Sequence, residues 1–142
     1  MDPDNPIVRL CAAGMTAEGE GRRDDARALF QQAWDASGSD YEASIAAHYL
    51  ARHQPSAEAT LEWNERSLRR AEAARDTHDD RVNGFFPSLY LNYAHSLEQL
   101  GRVADACAYY NLAAAGLDAL PADGYAALVR SGVTAGQRRT CG

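Results

Sequence analysis

Gly21-Arg-Arg-Asp-Asp-Ala26-Arg-Ala-Leu-Phe30-Gln-Gln-Ala33 and Gly101-Arg-Val-Ala-Asp-Ala106-Cys-Ala-Tyr-Tyr110-Asn-Leu-Ala113 share one spacing, position for position. In both, Ala follows Gly by five residues, an aromatic comes four later, and a second Ala three after that. Intervals of four and three put these residues on one face of a helix. A small residue every seven lets two helix backbones approach, and the aromatic between them fills the gap that remains. A looser copy, Pro55-Ser-Ala-Glu-Ala-Thr60-Leu-Glu-Trp63-Asn64-Glu-Arg-Ser67, keeps small residues in the Ala slots and moves the aromatic to Trp63. Three copies of one helical pattern predict an architecture in which each unit buries its apolar face on the next.

The pattern resembles the second helix of a tetratricopeptide repeat (TPR), marked by Ala-x3-Phe near its middle with Gly or Pro ahead of the helix. The frame can be checked on the first helices. Ser88-Leu-Tyr90-Leu-Asn92-Tyr93-Ala94-His-Ser-Leu97 is similar to the family's W-x2-L-G-x2-Y, with Tyr90, Tyr93, Ala94 and Leu97 in its four places. In the first unit those places hold Leu10, Ala13, Gly14 and Ala17, and in the second Ser44, Ala47, His48 and Ala51. Ala26 to Thr60 is 34 residues, the family's period, whereas Thr60 to Ala106 is 46. The surplus lies within residues 69–86 and predicts a longer closing helix in unit two and a longer opening helix in unit three.

The resemblance covers roughly residues 7–118 and implies an all-α fold. It implies a right-handed superhelix of about three TPR-like helix pairs plus a C-terminal capping helix, seven helices in a single domain over 1–142, in a small bacterial protein. The repeats would span about 7–38, 41–76 and 79–119, and the cap about 122–139. Local signals agree with these boundaries. Ser39-Asp-Tyr-Glu42 reads as a capping box, Gly38 as a helix terminator, and Pro55 as a first-turn residue. Leu120-Pro121-Ala-Asp-Gly124 is a break, after which Tyr125, Leu128, Val129 and Val133 recur at helical spacing. The tail from Gln137 to Gly142 is expected to fray. The third opening helix either starts at Pro87 or is kinked there.

Composition narrows the function classes. Of 142 residues 46% are apolar, enough for a core, yet no stretch approaches the ~20 apolar residues of a membrane span. All 14 basic residues are Arg, and the net charge of -6 disfavours phosphate backbones and anionic membranes. Cys11, Cys107 and Cys141 lack CxxC spacing and read as reduced, mostly buried thiols. The acidic start, Met1-Asp2-Pro3-Asp4, lacks a secretory signal, so the expected location is cytoplasmic.

In the family, opening helices line a concave groove. By frame this assigns Val8, Cys11, Met15, Glu18 and Gly19 in unit one to the groove. Unit two adds Glu42, Ile45, Tyr49, Arg52 and His53, and unit three Ser88, Leu91, Asn92, His95, Glu98 and Gln99. The expected binding cluster is Ile45, Tyr49, Arg52, His53, Leu91, Asn92, His95 and Gln99. Asn amides satisfy a peptide backbone in both directions, and Arg with His holds a carboxylate or phosphate. The competing reading makes Arg52 and His53 a solvated helix end, cations near the dipole's negative terminus. The family's carboxylate clamp for chaperone tails is not expected, because its slots hold Cys11, Met15, Ala46 and Ser88, and only Asn92 matches.

The resulting expectation is a non-enzymatic protein- or peptide-binding module with no cofactor, no metal, no nucleic-acid partner and no membrane partner. One alternative is a small-molecule or metal site, conceivably enzymatic, in the His/Arg/Asn-rich half of the groove. His48 and His53, five apart, miss the i, i+4 spacing for two ligands on one helical face, and His78 reads as a turn residue. Another is a homodimer formed through Phe85-Phe86 or the terminal helix. Trp34 and Trp63 read as core or back-face packing on the second helices.

Overall fold

The computed structural model describes residues 2–142. Among them are seven α-helices and no strand: α1 (Pro6–Gly19), α2 (Arg23–Ala36), α3 (Asp40–Leu50), α4 (Ala57–Asp76), α5 (Phe86–Gln99), α6 (Val103–Ala115) and α7 (Gly124–Thr140). The chain divides into two compact units, Met1–Arg81 carrying α1–α4 and Val82–Gly142 carrying α5–α7. No described helix is long and apolar enough to cross a membrane.

Four of the seven helices, α1, α3, α4 and α7, start on side-chain caps. The Asn5 side chain accepts from the Ile7 and Val8 N–H groups, Ser39 from Glu42, Ser56 from Ala59, and Asp123 from Ala126. Glu42 does not close the expected box onto Ser39; its carboxylate takes the Gly38 N–H and the Asn5 amide instead. Pro55 lies before the Ser56 cap and outside the first turn. α5 starts at Phe86, with Pro87 in its first turn. At 14 residues it is no longer than α1, so the surplus before it goes to the 20-residue α4 and to a 3-10 stretch, Asp80–Phe85.

Two hairpins end the same way. Gly21 and Gly101 adopt φ of +77° and +79°, which glycine takes at no steric cost. The Arg22 N–H donates to the Ala17 carbonyl and the Gly21 N–H to Glu18; Arg102 and Gly101 repeat this on Leu97 and Glu98. These paired bonds satisfy the last carbonyls of α1 and α5 and turn α2 and α6 back antiparallel.

The signature aromatics occupy the places between these helices. Phe30 and Tyr110 are fully buried. Phe30 lies on Gly14 of α1, where a β-carbon would stand 2.7 Å from Cζ, and it stacks at 5.1 Å on Tyr49 of α3. Tyr110 lies on Gly136 of α7, where a β-carbon would stand 2.6 Å from Cδ1. In the looser copy, Asn64 takes the buried place and Trp63 turns to a half-buried face. There α3 and α4 close on small residues, with the Ser44 and Ser67 hydroxyls each donating to the other's carbonyl at 2.9 and 2.8 Å.

The cysteine expectation is corrected. Cys107 on α6 and Cys141, just past α7, form a disulfide, and only Cys11 is a buried free thiol. The tail therefore does not fray up to its last residues. α7 runs to Thr140, held by this bond, by Arg139 on Glu98 and by Gln137 on Asn111. Val129 and Val133 join Ala113 and Leu117 in the second unit's core, while Tyr125 and Leu128 stay exposed.

Two stability predictions follow from this packing. Gly136→Ala should lose about 1–3 kcal/mol through overpacking against Tyr110, whereas Gly19→Ala, with nothing near its would-be β-carbon, should be neutral or stabilising. Equal urea midpoints for the two variants would contradict that contact. Reducing Cys107–Cys141, which closes a separation of 34 residues, should cost up to about 4 kcal/mol in the chain-entropy account. A Cys141→Ser chain melting together with the oxidised protein would contradict the bond.

Candidate functional site

In the first unit the carboxylate of Glu18, in the last turn of α1, receives two donors from the end of α3. Arg52 Nη2 is 2.6 Å from Oε1 and His53 Nε2 is 2.7 Å from Oε2. An ionised carboxylate only accepts, so Nε2 carries the imidazole proton. Arg52 also lies 4.9 Å above the Tyr49 ring, which in turn stacks on Phe30. His53 is buried; Arg52 keeps half its side chain in water. Of the expected unit-two residues, Ile45 and Tyr49 are buried at 4% and 8% exposure, so their surfaces are spent on packing.

The second unit repeats the arrangement. Glu98 ends α5 as Glu18 ends α1, and Arg139 reaches it from α7 with Nε 2.6 Å from Oε2. The Tyr110 hydroxyl donates to Glu98 Oε1 at 2.7 Å. The hydrogen bonds from Arg139 hold the Glu98 carboxyl below its usual range, and burial pushes the Tyr110 phenol up to about 12. Along α5 and α7 the Ser88 hydroxyl meets that of Tyr125, and Leu91 packs at Gly132. Asn92 lends its carbonyl to Ser96, and exposed His95 meets the Gln99 amide at 3.3 Å.

These contacts set helix direction. In unit one, Asn5–Glu42 and Glu18–Arg52 advance along both chains, so α1 and α3 run parallel. Ser88–Tyr125 and Glu98–Arg139 do the same for α5 and α7. Each unit thus has two parallel opening helices with an antiparallel closing helix wedged between them.

The geometry redefines the site residues. Arg52 and His53 satisfy one internal carboxylate, so they lock α3 onto α1 and do not offer a free anion cradle. Of the groove residues assigned by frame, Met15, Gly19, Arg52, His95 and Gln99 are exposed. The Glu18 and Glu98 partnerships were not foreseen. Their signal was present, since both lie three residues before a hairpin glycine and 80 residues apart, as do Phe30 and Tyr110.

Burial raises the Cys11 thiol to about 12, which keeps it protonated and unreactive. Among the described residues no three His, Cys, Asp or Glu side chains converge on a metal-binding position.

His48, at the expected helix crossing on α3, has its imidazole lowered to about 4 by burial and by the Arg52 charge. The unfolded chain protonates this ring near 6.5 and the native one only near 4, so acidification through that window favours unfolding. Because the ring keeps part of its surface in water, the expected loss is about 1–2 kcal/mol. His48→Gln should flatten the difference between urea midpoints at neutral and acidic pH; an unchanged difference would assign the slope to other groups. Comparisons with family models, with curated proteins and with solved structures return no match to this chain.

Proposed function

We propose that the chain is a non-enzymatic adaptor of tetratricopeptide type, which holds an extended segment of a partner protein on its opening-helix faces. The observation that carries this reading is the recurrence, 80 residues apart, of a buried aromatic on a closing helix (Phe30, Tyr110) and of a carboxylate clasped by an arginine (Glu18, Glu98). The ring meets a glycine of the preceding helix in one unit and of the following helix in the other. Within each unit two parallel helices stand side by side and present one face to solvent.

Chemistry on those helices suits a polypeptide. Met15 gives adaptable apolar contact, and Gln99 supplies an amide that satisfies backbone groups of either polarity. His95 adds a ring that donates or accepts, and Arg52 keeps exposed N–H groups beyond the one committed to Glu18. A protein or peptide ligand recognised this way needs no cofactor.

The test is a crosslinking pull-down from native lysate with the full chain and with a Met15→Ala, Arg52→Ala, His95→Ala, Gln99→Ala variant. His53 and Glu18 stay intact so that their hydrogen bond survives the loss of Arg52, and circular dichroism checks the fold. Wild type should recover a partner that the variant loses. An identical captured set from both would remove the opening-helix faces as the binding surface.

A further inference from the structure

The closing helices of the first unit carry a second surface. Trp34 on α2 and Trp63 on α4, the chain's two tryptophans, meet edge to face at 5.0 Å and are both half-buried. Each ring carries a guanidinium: Arg66 at 4.5 Å from the Trp63 centroid and Arg70 at 5.7 Å from that of Trp34. Two adjoining clefts share Trp34 and Arg70. One, of about 560 Å³, is lined by Ser37, Ser39, Asp40 and Ala43 among others. The other, of about 400 Å³, adds Glu62, Glu65, Arg66 and Arg69.

The cations here differ in how they are satisfied. Arg70 is held by Asp40 at 2.9 Å, and Arg69 by Glu72 at 2.7 Å and Glu65 at 3.8 Å. Arg66 bonds no carboxylate among the described residues, although it is the guanidinium stacked most closely on an indole here. A planar fork fixed over a ring is preorganised to take a carboxylate through two parallel hydrogen bonds. The adjacent indole offers apolar area with a wet edge. Glu62, unbonded among the described residues, and Asp35, held by the Gln31 amide, are the cleft carboxylates without a cation there and act against an anionic ligand.

We infer that this α2–α4 face is a second binding site, for an extended peptide segment that places an acidic side chain beside an aromatic or aliphatic one. The carboxylate pairs with Arg66 and the apolar neighbour lies on Trp34. Two adjoining clefts that share Trp34 and Arg70 fit an extended segment better than a compact molecule. The site shares no residue with the opening-helix faces, so its failure and that of the adaptor reading are separable.

Intrinsic fluorescence reads occupancy directly, because both tryptophans belong to the site. The full chain is titrated with acetyl-Leu-Asp-Phe-amide and, as the neutral control, acetyl-Leu-Asn-Phe-amide. The Asp peptide should give a saturable change, about tenfold tighter than the Asn peptide, the worth of one charge-assisted pair. Arg66→Gln should abolish that preference and Glu62→Gln should increase it, with both variants native by circular dichroism. No saturable change, an equal response to both peptides, or an Asp preference that survives Arg66→Gln would each overturn the proposal.

Discussion

The rest of this structure depends on a ring pressed against a backbone. Phe30 and Tyr110 are buried completely because Gly14 and Gly136 put no side chain in their way. Removing such a ring would cost about 3–5 kcal/mol, and adding a methyl beneath it would force the helices apart. The wedge therefore fixes both the separation of each pair of opening helices and the rotation of the closing helix between them. Other residues then settle into that geometry.

The clasps show this dependence. Glu18 and Glu98 hold their arginines only because the wedges bring two helix ends into register. Exposed pairs of this kind contribute little by themselves. Glu18 gains from being shared with buried His53, and Glu98 from the Tyr110 phenol. A charged ligand at Arg52 would have to compete with a carboxylate already in place. This moves expected recognition from charge capture toward the exposed Met15, His95 and Gln99. The Cys107–Cys141 bond ties the end of α7 to α6. Such a bond persists in oxidising surroundings and is usually transient in a reducing cytosol.

Much of the helical layout was legible because it is written in local periodicity. Gly21 and Gly101 mark both hairpins, and the spacing of Ala26, Phe30, Ala106 and Tyr110 marks both wedges. Pairings between helices were not legible. A carboxylate at Glu18 carries no local sign of which of several arginines it will meet, and Cys107 gives no hint of Cys141 without the fold of α7. Gly136 is the sharpest case. In sequence it draws no role, just ahead of the tail expected to fray, yet in the structure it is where Tyr110 docks.

The departures from the repeat are as informative as its matches. A one-residue slip replaces an aromatic with Asn64 in the buried place and rotates Trp63 by about 100° around α4. The slip removes a wedge from the interior, where paired serines take over the close approach of α3 and α4. It also places an indole beside Trp34 on the opposite side of the helix pair. A repeat under pressure only to pack would keep its aromatic inside, since a half-buried tryptophan forgoes part of its hydrophobic gain. Moving that ring outward, under an arginine with no carboxylate partner among the described residues, spends packing energy on a surface. That surface is where a second ligand is best sought.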